Sequence, residues 1–306
     1  MDAKKLRALV TSTASAVLLI CLLTPWLAAQ NAPSVPAEWK DVEDAMGRPG
    51  QMQGGDVLKF SMPRKDLSVT ANGVTIKAEF ALGSWAAFKR AGNEAMVMGD
   101  LVLTEDEVNP VISRLQAGGV SEAALHNHLL RESPRVMYLH IASHGDAVKM
   151  ARTIHDALAL TKTPPASKQP AAPASFELDQ KQIEQAIGRS GKVNGGVLQF
   201  SVPRSEKITD NDMDVPPSMG VATGINFQPA GKGRAAITGD FVLIASEVNP
   251  VIKALRDGGV QVTALHSHML TEQPRLFFMH FWGVDDPGKL AHTLRTAMDQ
   301  MNNAKP

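Results

Sequence analysis

The chain has 306 residues, of which 44% are hydrophobic and 20% are charged, and its 31 basic side chains balance its 31 acidic ones. This composition excludes an intrinsically disordered chain, and the zero net charge gives no electrostatic reason to expect a nucleic acid as partner. The single cysteine, Cys21, excludes an intrachain disulfide framework and a cysteine-rich zinc ribbon. At about 100–200 residues per domain, the length predicts two domains.

The first 29 residues have the pattern of a secretory signal peptide. Three basic residues precede an apolar stretch from Ala8 to Leu23, and small residues lead to a cleavage point after Ala29. We therefore predict a periplasmic or secreted protein without a membrane span after cleavage. A lipoprotein signal with Cys21 as the lipidated residue is the alternative, and it is less favoured because the bulky Ile20 precedes the cysteine.

The rest of the chain consists of one unit that occurs twice. Residues 99–140 and 239–280 share 23 identities in 42 positions at a constant shift of 140 residues. Between the units, residues 161–175 are rich in proline and alanine, which is typical of an extended, semi-rigid linker. The predicted domains are therefore residues 37–160 and 176–303.

Strands and helices follow one another in the first unit without a strict strand–helix–strand order. We predict helices at Glu38–Met46, Pro110–Ala117 and Asp146–Leu160, and strands at Asp56–Met62, Leu67–Ala71, Val74–Glu79, Ala95–Leu103, Ala123–Leu130 and Val136–Ser143. Asn72-Gly73 predicts a hairpin with a type I′ turn, and Asn109-Pro110 predicts the start of the central helix. The pattern predicts an α+β fold with two tandem homologous domains, each a mainly antiparallel sheet with packed helices.

The strongest chemical signal is a histidine triplet that occurs in both units. Its members are His126, His128 and His140 in the first unit and His266, His268 and His280 in the second. Alternate residues of a strand share a face, and a hairpin centred near residue 133 would place position 140 opposite position 126. Three convergent imidazoles could supply three ligands of a zinc site, or another divalent-metal site, in each unit. The alternative is ordinary histidines that only form hydrogen bonds.

Four glutamates are candidates for a fourth ligand or for moving protons. Glu132 and Glu272 follow the histidine pairs with a spacing also found in cupin metal sites, although a loop glutamate in water explains them as well. Glu107 has capping-box spacing from Thr104. In the second unit Glu247 is kept although an isoleucine replaces the threonine, so capping alone does not account for this glutamate.

Other polar residues also occur in both units. Asp100 and Asp240 each follow a glycine, and we interpret them as turn residues. Arg135 and Arg275 precede the second histidine strand and could hold an anionic group of a ligand or form a structural ion pair. The same two interpretations apply to the arginines at positions 64 and 204.

Four sequence blocks resemble a known domain type. They are Gly99-Asp-Leu-Val-Leu-Thr, Glu107-Val-Asn-Pro-Val, Ala124-Leu-His-Asn-His-Leu-Leu and Ser133-Pro-Arg-Val-Met-Tyr-Leu-His. They resemble the LppY/LpqO-type domain of unknown function, known from bacterial exported proteins and mycobacterial lipoproteins, and the second unit resembles it too. The resemblance implies export and a domain type but no activity. The units differ most where Thr223–Gln228 replaces Gly83–Phe88, so a pocket wall at that place would differ between them.

The sequence leaves three hypotheses and does not decide whether the protein is an enzyme. The first is an exported tandem protein with a divalent-metal site in each unit. As an enzyme it would use the metal for hydrolysis, with one of the four glutamates moving protons. The second is a non-catalytic envelope module that binds a small anionic ligand. The third is a structural protein whose histidines only satisfy hydrogen bonds in the core.

Overall fold

A computed structural model describes residues 35–92, 94–166 and 174–305. The predicted signal peptide lies outside the described residues, and so does the middle of the predicted linker. Within the described ranges, no helix combines the length and the apolar character that crossing a membrane requires.

The chain forms two similar halves, residues 35–166 and 174–305. The first half contains α1 (Lys40–Met46), β1 (Gln51–Gln53), β2 (Val57–Pro63), β3 (Thr70–Ala71), β4 (Val74–Thr75), α2 (Ala78–Ala81), β5 (Gly83–Ala91), β6 (Glu94–Thr104), α3 (Glu105–Gly118), β7 (Glu122–His126), β8 (Val136–Gly145) and α4 (Ala147–Leu158). The second half contains α5 (Gln180–Ile187), β9 (Lys192–Asn194), β10 (Val197–Pro203), β11 (Thr209–Asp210), β12 (Met213–Asp214), β13 (Ala222–Pro229), β14 (Ala235–Leu243), α6 (Ala245–Asp257), β15 (Gln261–His266), β16 (Glu272–Gln273), β17 (Phe277–Asp285) and α7 (Pro287–Met298).

Each half is built on one six-stranded sheet with the same strand order. The order is β1-β2-β5-β6-β8-β7 in the first half and β9-β10-β13-β14-β17-β15 in the second. All of these pairs are antiparallel. The prediction of two tandem α+β domains with antiparallel sheets is therefore confirmed.

Both faces of each sheet are buried, and strand β6 shows how. Its odd-numbered residues, such as Val97 and Leu101, belong to a core formed with the helices of the same half. Its even-numbered Met96 and Met98 pack in a cluster with second-half residues that include Val242 and Phe278. Because alternate strand residues point to opposite faces, the sheets lie face to face with the helices outside.

Hairpin segments hold the two halves together. Phe80, which follows the β3–β4 hairpin, packs edge-on against Trp282 of the other half, with ring centroids 6.1 Å apart. The Gln228 side chain donates to the Thr75 carbonyl at 2.7 Å and accepts from the Lys77 backbone at 2.9 Å. These contacts join the β3–β4 hairpin and α2 of the first half to the six-stranded sheet of the second half.

Two local predictions have clear outcomes. The type I′ turn is confirmed, because Asn72 and Gly73 have φ values of 48° and 77°. The helix start at Pro110 is wrong, since α3 begins at Glu105 with Thr104 as N-cap and holds Pro110 in its second turn. Glu107 closes a capping box there by accepting from the Thr104 backbone at 2.9 Å.

Candidate metal centre

The two histidine triplets meet in one cluster between the facing sheets. His140 lies in β8, His126 ends β7, and His128 lies in the loop that follows. In the β7–β8 pair, His126 is opposite Tyr138 rather than His140. This register differs from the expected one by two residues, and a shift of two keeps every side chain on the same face. His126 and His140 therefore both point toward the second half.

Ring contacts across the cluster join the two halves. The Nε2 atoms of His126 and His280 are 3.2 Å apart, and those of His266 and His268 are 3.1 Å apart. The ring of His126 stacks on that of His266 with a centroid distance of 3.8 Å. Two further ring pairs, each with one histidine from each half, have centroid distances of 3.7 Å: His128 with His280, and His140 with His268.

In the described part of the chain, three groups of residues have ligand atoms that all lie within 4.8 Å of one another. They are His126, His140 and His266; His126, His128 and His280; and Asp240, His266 and His268. Two of the three groups mix residues of both halves, and none is a complete triplet from one half. The expectation of a separate triplet in each unit is thus replaced by a shared cluster, because the sheets pack with their histidine faces together.

Two aspartates belong to this cluster, and the interpretation of them as turn residues was wrong. Asp100 lies within strand β6 opposite His140, and Asp240 lies within β14 opposite His280. Asp100 Oδ2 is 3.3 Å from His128 Nε2, and Asp240 Oδ2 is 3.0 Å from His268 Nε2. The available signal was a carboxylate inside an otherwise apolar strand, at the same place in both units.

Backbone carbonyls orient three of the imidazoles. The Nδ1 atoms of His140, His280 and His268 lie 3.1, 2.8 and 3.0 Å from the carbonyl oxygens of Gly99, Gly239 and Gly220. A carbonyl only accepts, so each Nδ1 carries the proton and each neutral ring keeps a lone pair on Nε2. Metal-binding histidines in proteins are commonly held in this way.

Burial disfavours the charged forms of five imidazoles and of one carboxyl group in the cluster. Burial, with the neighbouring His280 and His268, lowers the pKa of His126 to about 2. Burial also lowers the pKa of four other rings: His128, His140, His266 and His280. Burial and then the nearby Asp240 carboxylate raise the pKa of Asp100 well above its ordinary value. Unprotonated imidazoles are the form that binds metals.

Several buried polar atoms of the cluster have no hydrogen-bond partner among the described residues. They are Nδ1 of His126 and His266, Nε2 of His128 and His140, and Oδ1 of Asp100 and Asp240. Such orphaned groups are costly unless something else satisfies them. Two nitrogens that each lie ~2.0–2.1 Å from a tetrahedral zinc are ~3.3 Å apart, close to the Nε2–Nε2 separations of 3.1 and 3.2 Å. The residues present therefore fit a metal ion.

The model of one protein family matches both halves of the chain. Its description is Domain of Unknown Function (DUF1259), and it matches residues 40–160 and 181–300. The chain belongs to this family. It contains two tandem DUF1259 copies, and the LppY/LpqO-type designation stays a prediction.

The other comparisons add no functional relative. No curated protein sequence matches the chain significantly. Among solved structures, the trimeric microcompartment shell protein PduB matches at 12% identity and a TM-score of 0.21, covering 82% of this chain and 89% of its own. The double-ringed trimeric shell protein MSM0271 from the RMM microcompartment matches at 11% and 0.20, with coverages of 82% and 95%. EtuB from Clostridium kluyveri matches at 10% and 0.19, with coverages of 81% and 88%.

In both DUF1259 copies, the glutamate at the helix start lies in a buried ion pair outside the histidine cluster. Arg64 is fully buried and donates to Glu107 at 2.7 Å and to Asp66 at 2.8 Å. Arg204 donates to Glu247 at 2.6 Å in the same way. The arginines therefore form structural ion pairs, which was one of their two interpretations.

This ion pair corrects the candidate role of Glu107 and Glu247 as a fourth ligand or general base. Neither belongs to the groups of convergent ligand atoms. The backbone N–H of Ile244 donates to Glu247 at 2.9 Å, as that of Thr104 does to Glu107. The glutamate thus persists without the threonine because its carboxylate binds the arginine and a backbone N–H, neither of which needs the threonine side chain.

The remaining candidates lie between the two histidine strands of each half, where Glu272 belongs to the short strand β16. Glu272 is 1% exposed and accepts from the Leu276 backbone at 3.0 Å and from Arg275 at 3.2 Å. Glu132 is half-buried, and exposed Arg135 has its nearest carboxylate, that of Glu105, at 3.8 Å. Neither Glu132 nor Glu272 belongs to the groups of convergent ligand atoms.

Proposed function

We propose that the cluster between the DUF1259 copies binds divalent metal at two positions, each built by both halves. The first position would use His126, His128 and Asp100 from the first half and His280 from the second. The second would use His266, His268 and Asp240 from the second half and His140 from the first. The observation that carries the proposal is the convergence of six imidazoles and two aspartates, in which four ring nitrogens and one oxygen of each carboxylate lack a hydrogen-bond partner among the described residues.

The pairing of residues follows from distances that repeat when the halves are exchanged. The ring centroids of His128 and His280 are 3.7 Å apart, and so are those of His268 and His140. Each third histidine therefore faces the histidine pair of the opposite half. Each pair also has an aspartate of its own half within 3.3 Å.

The donor set favours zinc. Three imidazole nitrogens and one carboxylate oxygen match the ligand types and the ligand number of four-coordinate zinc sites. Four protein ligands leave no open position, and catalytic zinc sites keep one open. We therefore favour a metal that stabilises the contact between the halves over metal-assisted hydrolysis. The function that we propose is therefore that of a non-catalytic, metal-binding protein of the cell envelope.

Elemental analysis of the full chain, purified without an affinity tag, tests metal binding. We expect about two divalent ions per chain, since two complete donor sets are present. His292→Ala, which changes an exposed histidine on α7, is the matched control and should keep both ions. A wild-type protein that contains no stoichiometric metal and takes up none from zinc-containing buffer would contradict the proposal.

Two triple variants distinguish shared positions from a site in each half. Alanine at His126, His128 and His280 removes one shared position and should leave about one ion per chain. Alanine at His126, His128 and His140 damages both shared positions and should leave none. If each half instead had its own site, the variant that includes His280 would bind no ion, and the variant that includes His140 would bind one. Glutamine versions, checked by circular dichroism, replace any alanine variant that does not fold.

Export is a further proposal, which rests on the signal-peptide pattern alone. We expect the mature protein recovered from the cell envelope or the medium to begin at Gln30. Intact-mass measurement and N-terminal sequencing check this cleavage point. A mature chain that begins at Cys21 with a lipid mass would instead establish the lipoprotein alternative, and an uncleaved cytoplasmic chain would rule out both.

A further inference from the structure

An open cleft of about 570 Å³ lies between the two halves, apart from the histidine cluster. The first half contributes Lys59 and the turn at residues 53–55, and the second contributes Ser201 and residues 216–218. Gly220 also lines the cleft, and its carbonyl accepts from His268. The cleft is thus large enough for a small organic molecule.

Lys59 is the cationic side chain of this cleft, and its ammonium group is poorly satisfied. Nζ lies 4.3 Å from the centroid of the Trp85 ring. Its hydrogen-bond partner in the described part of the chain is the Ser218 carbonyl, at 3.4 Å. An ammonium has three donors, so two of them have no protein acceptor here. None of the residues that line the cleft is acidic.

The missing counterion has an energetic consequence. Burial lowers the pKa of Lys59 to about 8, so most of the amine is still protonated at pH 7. A desolvated cation without an anionic partner is unfavourable, and the Trp85 ring offsets only part of that cost. An anion that enters the cleft would form charge-assisted hydrogen bonds with Nζ.

The position of Lys59 in the duplicated unit is occupied by a different residue. Gln199 occupies the position of Lys59 at the 140-residue shift, and its amide donates to the Glu79 carbonyl at 2.8 Å. Near that position the Lys77 ammonium lies 3.3 Å from the carbonyl oxygens of Gly195 and Gly196. Gln199 and Lys77 thus have hydrogen-bond acceptors at the equivalent place, whereas Lys59 has one long contact.

We propose that this cleft binds a small organic anion whose carboxylate or phosphate group pairs with the Lys59 ammonium. The Trp85 ring lies 4.3 Å from Nζ and supports the ammonium from outside the cleft lining, and Ser201 also lines the cleft. Trp85 lies in the segment in which the two units differ most, so the site exists in one copy only. This proposal is independent of the metal centre, since none of the cluster histidines lines the cleft.

Calorimetric titration of the full chain in low-salt buffer tests the site, with inorganic phosphate and succinate as probes. We expect saturable binding of at least one probe, weakened about tenfold or more in Lys59→Gln. Lys59→Arg keeps the charge and should retain binding, and Lys253→Gln, an exposed lysine on α6, is the control. Glutamine is chosen because the fold already accommodates Gln199 at the equivalent position.

The two probes distinguish the chemical class of the ligand. Binding of phosphate alone identifies a phosphorylated ligand class, and binding of succinate alone identifies a carboxylate class. The proposal is overturned when neither probe binds saturably, or when Lys59→Gln binds as tightly as the wild type while its melting temperature shows that it is folded.

Discussion

Replacing Arg64 with methionine is expected to lower the free energy of unfolding by about 3–5 kcal/mol. The side chain is fully buried and donates to the Val102 carbonyl, to Glu107 and to Asp66. Methionine fills part of the volume but leaves the buried Glu107 carboxylate without its cation. Removing one partner of a buried pair costs more than the pair itself contributes, because the remaining charge is desolvated.

Urea denaturation followed by circular dichroism measures this effect. Arg204→Met should give a similar loss, since Arg204 forms the equivalent contacts with Val242, Glu206 and Glu247 in the other half. Arg135→Met is the control, because Arg135 is exposed and its nearest carboxylate is 3.8 Å away. A loss below about 1 kcal/mol in Arg64→Met would show that the ion pair is not structural.

Gly239→Ala is expected to cost about 3 kcal/mol and also to lower the metal content. A Cβ atom at this position would lie 2.0 Å from the Gly224 carbonyl oxygen in the neighbouring strand β13. The clash involves backbone on both sides, so strands β13 and β14 must separate. The Gly239 carbonyl also accepts from His280 Nδ1, so the same movement would turn a proposed ligand away.

Gly224→Ala is the matched control on the facing strand. No heavy atom lies within 4 Å of the Cβ that it would add, so we expect unfolding and metal content close to the wild type. Gly99→Ala should have a smaller effect than Gly239→Ala, because its added Cβ would lie 2.6 Å from the Trp85 carbonyl oxygen. Thermal and urea unfolding with elemental analysis checks all three. If Gly239→Ala had the stability and the metal content of the wild type, the close approach of strands β13 and β14 would not require glycine at this position.

Much of the fold could be predicted from local patterns. The duplication was visible in the identities at a fixed shift, and the hairpin at Asn72-Gly73 needs only the positive φ that these residues tolerate. The start of α3 had two competing local signals, and the capping box of Thr104 and Glu107 is the one that the structure uses. Asn109-Pro110 is a good start by local preference, whereas the observed start has Glu107 held by Arg64, which is 43 residues away.

The site could be predicted only in part, for a related physical reason. Periodicity shows which side chains share a face, and it brought His126, His128 and His140 to one surface. It does not show what packs on that face, so the second half's histidines were placed in a separate site. Asp100 was missed because β6 is buried on both faces, and a strand without alternation gives no reason to assign a polar residue to either face.

The difference between Lys59 and its counterpart Gln199 has a consequence for how the two copies can diverge. In a homodimer with two-fold symmetry, every substitution occurs on both subunits. A substitution that improves a binding site on one side of the interface therefore also changes the equivalent position on the other side. Here one polypeptide carries both copies. Lys59 and Trp85 can therefore occur on one side while the other has Gln199 and, since Gly224 pairs with Asp240 as Trp85 pairs with Asp100, a glycine. Covalent duplication in this way permits one-sided specialisation around an interior that still needs both partners.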